Sequence, residues 1–290
     1  MNRLFPITLG LATVAGLFAL FFNLAGGLIV SPEALAIGLL LGAAYVVIVV
    51  FLLWLTPLWP QRAYLWVLPA LIWGGGVCLS LVGVLATPVM DIPEKLGWDL
   101  VLASLGGAYP EEFLKALGVV IILLSFRRLN RPWHGLLAGA VVGLGFETME
   151  NLLYGINGAI LDPNDDAIGA LQLWALRLIV GPCLHIVFTS IAGWGIGVAL
   201  YTAEMSPWRR VGSALGWFLV AFCFHFCWNL SPGNDVAQIL NMIGVGLVMY
   251  PTFVWLLVRA WRQARRDDTY ALTPKPLLSV AELSPQKLPQ

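Results

Sequence analysis

The chain has 290 residues, of which 59% are hydrophobic and only 11% charged, with 16 acidic and 16 basic side chains. Soluble domains carry about 45–50% apolar and about 25% charged residues, so a water-soluble globular enzyme is excluded. The net charge of zero says nothing about partners, and no nucleic-acid partner is expected. Apolar runs of about 20 residues recur along the chain, the length that crosses a bilayer as helix. The expected fold is all-α, a polytopic membrane protein of about eight transmembrane helices forming a single domain over residues 1–262.

The runs fall at 4–30, 34–56, 65–87, 110–126, 134–158, 171–201, 211–231 and 236–258. If they alternate in direction, Arg3, Arg62, Arg127, Arg128, Arg131, Arg209, Arg210, Arg259, Arg262, Arg265 and Arg266 share one side. The other side holds only Lys95. The positive-inside rule then puts both termini in the cytoplasm of a multi-pass protein of the cell membrane. The first run lacks a small-residue cleavage site and is followed at once by another, so it reads as a retained anchor.

Spans one to three have no ionisable residue in their apolar cores and read as scaffold and lipid contact. Residues 88–109 mix Asp91, Glu94, Lys95 and Asp99 with Ile92, Leu96 and Trp98, a pattern expected of a helix lying at the interface. Tyr109-Pro110-Glu111-Glu112-Phe113-Leu114-Lys115 then opens the fourth span. Pro110 suits the first helical position, two glutamates suit the positive end of the helix dipole, and Glu111 and Lys115 are spaced as a surface pair. From Pro110 to Phe126 is only about 25 Å, which draws these charges toward the bilayer.

In the fifth span Gly135, Gly139 and Gly143 form a stripe that lets another helix approach closely. The same step leads to Glu147 and Asn151, with Glu150 one turn along. Unpaired, these carboxylates would cost several kcal/mol, so the helix contact is expected to open into a polar cavity in the outer half of the membrane. The loop 159–170 carries Asp162, Asp165 and Asp166. Span six brings Arg177, placed to snorkel or to balance a carboxylate, then Pro182, expected to kink the helix, and His185. In span seven His225 and Asn229 share a face.

Cys183, Cys223 and Cys227 each lie two residues from a histidine, about 200° around a helix, so with Cys78 they read as packing residues. His134 belongs to the opposite membrane surface. Span eight is uncharged in its core. The tail 263–290 reads as a short disordered cytoplasmic extension whose arginines meet anionic headgroups of the lipid bilayer.

Glutamates, two histidines and an asparagine around one cavity suit hydrolysis of an acyl bond. One glutamate acts on a water as general base, a crowded neighbour serves as acid, and His225 and Asn229 donate to the oxyanion. This mechanism requires no cofactor. Zinc held by Glu112, His185 and His225 is a second possibility, although the His-Glu-x-x-His motif is absent.

Glu111-Glu112-x-x-Lys115, Phe146-Glu147-x-x-Glu150-Asn151, His185 and His225-x-x-Trp228-Asn229 together resemble the motif set of the PrsW intramembrane proteases, within the wider CAAX-protease superfamily. The resemblance covers about residues 105–232. It implies a glutamate-dependent protease that cuts a single-span membrane protein, such as an anti-sigma factor, near its extracytoplasmic face. The site residues it implies are Glu111, Glu112, Glu147, Glu150, His185, His225 and Asn229. Glu150 stands where the CAAX enzymes carry a histidine, so prenyl-protein cleavage is not implied. The rival class is a proton- or ion-coupled transporter, since intramembrane Glu and His also form relays. Confinement of the polar positions to spans four to seven, with no internal repeat, weighs against it.

Overall fold

The structure is a computed structural model that describes residues 3–60 and 63–267. Every regular element among them is helical: α1 (Leu4–Val30), α2 (Pro32–Trp54), α3 (Val67–Ile72), α4 (Leu79–Lys95), α5 (Asp99–Ala103), α6 (Tyr109–Ser125), α7 (Pro132–Leu161), α8 (Asp166–Val180), α9 (Leu184–Tyr201), α10 (Pro207–Trp228) and α11 (Asp235–Arg265). Two π-helical segments, Trp73–Cys78 and Ser104–Ala108, join α3 to α4 and α5 to α6. Among the described residues, seven helices, counting Val67–Lys95 as one, are long and apolar enough to cross a membrane. The expected span 110–126 corresponds to α6, which has 17 residues.

Local chemistry sets several of these boundaries. The Ser31 hydroxyl accepts the Ala34 N–H at 3.1 Å and, with Pro32 in the first turn, starts α2. The same hydroxyl donates to Asp166 at 2.6 Å and ties the α1–α2 corner to the start of α8. Asp165 caps α8 and Asn234 caps α11.

Helix α7 is the axis of the molecule and is buried along most of its length. It packs antiparallel to α8 and α9. The glycine stripe is the reason the helices come so close: a Cβ on Gly143 would lie 2.2 Å from the His185 carbonyl oxygen, and one on Gly139 would lie 2.2 Å from that of Thr189. The lipid-facing surfaces of α1, α2 and α11 are correspondingly rich in exposed apolar side chains.

Four local expectations are corrected. Residues 88–95 do not form a separate interfacial helix, because α4 runs through Pro88 and Pro93 to Lys95. Pro110 does not begin a helix: the chain is already helical from Asp99, and the turn before the proline widens to the π form at Ser104–Ala108. A proline ring has no N–H and crowds the carbonyl four residues back, and a wider turn relieves that clash. Pro182 does more than kink its span. The helix stops at Val180 and restarts at Leu184, with Cys183 in the left-handed region at φ 60°. Finally, α11 reaches Arg265, so residues 263–265 are helical, and Asp267 is paired with Arg131 at 2.6 Å. The expected tail from residue 268 onward, like Arg62, lies outside the described residues.

Candidate active site

The site is assembled where α6, α7, α9 and α10 converge, with the π-helical turn Ser104–Ala108 as a fifth wall. On α6 the Lys115 ammonium is fully buried beneath Glu111 and Glu112, 3.2 Å from Glu111 Oε2 and 2.6 Å from Glu112 Oε1. The expected surface pair is therefore an interior one. Burial forces the arrangement, because an unpaired ammonium or carboxylate at this depth would be strongly destabilising. Lys115 also lies 4.5 Å from the centre of the Phe146 ring and bonds His185 Nδ1 at 2.9 Å.

These contacts fix both histidine tautomers. Ammonium groups only donate, so His185 Nδ1 accepts, and its Nε2–H donates to Glu150 at 2.8 Å. His225 is held the opposite way: its Nδ1–H donates to Glu112 Oε1 at 2.8 Å, and Nε2 accepts from the Asn229 amide at 3.1 Å. The His225 ring stacks on Phe188 at 4.7 Å. Its Nε2 lies 3.9 Å from Glu111 Oε2.

A cavity of about 360 Å³ opens over this cluster. Glu111, Glu150, Arg177, His185, His225 and Asn229 all line it, while Glu112 lies behind His225 and does not. Of the seven residues implied by the sequence motifs, five thus share one cavity wall. Arg177 resolves to a carboxylate partner: it pairs with Glu150, and its Nε–H donates to Asn151 at 2.8 Å. No disulfide forms among the described cysteines, and His134, buried 1% exposed against Arg131, takes no part in the cavity.

Glu147 also stands apart from the cavity. Its Oε2 accepts the backbone N–H groups of His185 and Ile186 at 3.0 and 3.3 Å, and its Oε1 accepts the Tyr45 hydroxyl at 2.8 Å. The break at Pro182 leaves the first N–H groups of α9 without helical partners inside the membrane, and Glu147 supplies them with an acceptor. Tyr45 was not expected from the sequence. It belongs to a span read as scaffold, and nothing local distinguishes it from an interfacial tyrosine. Gly107 is the other unexpected member: a Cβ there would lie 3.0 Å from Asn229 Nδ2 and 3.3 Å from Glu111 Oε1. The π-helical turn that carries Gly107 is tied to α10 by the Ser104 hydroxyl, which donates to the Phe226 carbonyl at 2.7 Å.

The sequence profile of the family described as PrsW family intramembrane metalloprotease matches residues 62–257. That range covers well over half of the chain and every residue of the cavity wall. The chain belongs to the PrsW family. Among curated relatives, the PrsW proteases of two bacteria are similar. That of Geobacillus kaustophilus (strain HTA426) is 28% identical over 196 residues, 64% of this chain and 78% of the relative. That of Shouchella clausii (strain KSM-K16) is 29% identical over 152 residues, 52% of this chain and 64% of the relative. No solved structure gives a significant match. Tyr45, which holds Glu147, precedes the matched range.

The family description implies a metal, and the donor set can be tested against one. One ligand atom each from Glu111, Glu112, His185 and His225 lies within 4.8 Å of the others, and carboxylate and imidazole are zinc ligands by type. Two of the spacings are close to what zinc needs: His185 Nδ1 lies 3.6 Å and His225 Nε2 3.9 Å from Glu111 Oε2. Zinc at about 2.1 Å from four ligands needs them about 3.4 Å apart. An ammonium hydrogen-bonded at about 2.9 Å tolerates acceptors up to about 4.7 Å apart. Lys115 already bonds three of the four residues. Glu112 Oε2 is buried without a hydrogen-bond partner and is free to bind a cation. The donors suit zinc by type, and in this structure the Lys115 ammonium lies among them.

Proposed function

We propose that this PrsW family protease hydrolyses a peptide bond of a single-span membrane protein near the extracytoplasmic face, with Glu111 as the base that activates water. The observation that carries the reading is the placing of Glu111 on the cavity wall beside His225 and Asn229, while Glu112 is withdrawn behind His225. A water hydrogen-bonded to Glu111 on the cavity wall lies beside the His225 ring, whose Nε2 is 3.9 Å from Glu111 Oε2. Glu111 takes a proton as the water oxygen bonds the substrate carbonyl carbon. The Asn229 amide has a second N–H to give to the oxyanion that forms. As the C–N bond breaks, the proton on Glu111 passes to the leaving amine. Each atom is accounted for, and no step requires a cofactor. Glu112 holds His225 in one tautomer and so acts as a positioning residue.

The substrate class is supported by a second cavity. An apolar groove of about 710 Å³ runs between the end of α8 at Val180 and the α11 residues Ile239, Ile243, Gly246 and Leu247. It meets the active-site cavity at Trp228 and Met242, which line both. The apolar span of the substrate lies in this groove and delivers its outer end to Glu111. The arginine-rich ends of the helices then face the cytoplasm, in keeping with the positive-inside rule.

The test compares membranes of cells expressing the wild-type chain or Glu111→Gln, with newly formed protein N-termini labelled and sequenced. New termini at the outer ends of single spans, present with the wild type and absent with Glu111→Gln, are expected. Identical termini in both membranes, together with proton flux in vesicles that depends on Glu111, would favour the transporter instead.

A further inference from the structure

We infer that Lys115 is the built-in cation of this centre, occupying the position a metal ion would take, and that its removal turns the centre into a zinc site. The inference concerns the same cluster as the proposed protease mechanism, but its metal-binding consequence stands or falls independently of catalysis.

Three observations meet on one atom. Lys115 Nζ contacts Glu112 Oε1 at 2.6 Å, Glu111 Oε2 at 3.2 Å and His185 Nδ1 at 2.9 Å. Those three residues belong to the group of four whose donor atoms cluster within 4.8 Å. Lys115 itself has no exposed surface, so water does not share its hydrogen bonds. An ammonium group only donates, and here it hydrogen-bonds Glu111 and His185 and forms an ion pair with Glu112. The lysine thus does structurally what a metal does: it gathers two carboxylates and an imidazole around one positive charge.

This has a consequence for each state. With Lys115 present, a divalent ion entering the cluster must displace a buried ammonium whose remaining contact is the Phe146 ring, and like charges this close repel strongly. With Lys115 truncated, Glu111, Glu112 and His185 lose their shared cation together, and two buried carboxylates face each other uncompensated. Two carboxylates and an imidazole, with His225 Nε2 3.9 Å from Glu111 Oε2, are then a zinc ligand set whose donor separations need to close by about 1.4 Å at most. The chain's own residues therefore select lysine over metal by charge.

The experiment uses the full-length chain purified in detergent and equilibrated with zinc ions at about tenfold molar excess, then freed of loose metal by gel filtration. Zinc is counted by plasma mass spectrometry, and Co(II) is titrated in parallel for its tetrahedral visible absorption. Wild type and Lys115→Arg are expected to retain essentially no zinc. Lys115→Ala and the closer-sized Lys115→Met are expected to retain about one zinc per chain and to give the Co(II) spectrum, both lost again when His185→Ala is added. Stoichiometric zinc in the wild type overturns the inference whatever the variants do. Zinc-free Lys115→Ala and Lys115→Met that elute as folded monodisperse protein overturn it as well. If those variants do not fold, absence of zinc from the wild type and from Lys115→Arg supports it. Loss of proteolysis in the variants is not used as the readout, so failure of the protease reading would leave this result intact.

Discussion

The Glu147 carboxylate accepts the backbone N–H of His185 at 3.0 Å, so a glutamate on α7 fixes where α9 begins and where the His185 imidazole points. The glycine stripe below it explains the position. Gly143 is in contact with the carbonyl of the same residue, and one helical step further the partner helix ends, leaving room for a side chain. A carboxylate fills that room because the exposed N–H groups of His185 and Ile186 require an acceptor.

Glu147→Gln retains an oxygen to accept these N–H groups and an amide to face Tyr45, so it should keep measurable activity and most of its thermal stability. Glu147→Leu orphans two buried N–H groups and should cost about 2–4 kcal/mol. Thermal unfolding in detergent reads the difference. Equal inactivation of both variants, with equal stability, would mean that the charge itself takes part in the chemistry.

Glu111 and Glu112 should separate under the same conservative change. Glu111→Gln removes the base and should lower kcat by about a thousandfold or more. Glu112→Gln keeps an oxygen for the His225 Nδ1–H and should lower kcat by roughly ten- to a hundredfold. Turnover of one reconstituted substrate by both variants decides the order. The reverse ranking would assign the base to Glu112.

Gly107→Ala adds one methyl group 3.0 Å from Asn229 Nδ2. The amide has to move, so kcat should fall about tenfold or more with KM little changed, because an oxyanion donor acts on the transition state. Asn229→Ala should reproduce the effect, and combining the two should add little. Additive losses would show that Gly107 matters for another reason.

Gly246 lies on the groove side of α11, and a Cβ there meets only the Tyr250 ring, at 3.7 Å. Gly246→Trp is therefore tolerated by the backbone and occupies the groove. Cleavage of a membrane-anchored substrate should fall at least tenfold relative to cleavage of a short soluble peptide with the same scissile bond. Equal effects on both substrates would place the substrate span elsewhere.

The membrane class, the all-helical fold and most of the helix positions were legible in the sequence, because the hydrocarbon core imposes one length and one backbone solution on every crossing. The motif residues were legible for a related reason: glutamate and histidine in an apolar run stand out against a background that excludes them. Their division of labour was not. Glu111 and Glu112 are adjacent in sequence, yet one faces the cavity and the other lies behind His225, and only the packing of α10 on α6 decides which. Glu147 and Glu150 share a motif, yet one caps a helix and the other pairs with Arg177, because α9 starts between them. Lys115 showed as the partner of Glu111 four residues away, but its contact with His185 spans 70 residues. Tyr45 is 102 residues from the glutamate it holds. Composition and periodicity report the solvent each residue sees. Which donor meets which acceptor depends on the relative rotation of helices, and that is settled by tertiary packing.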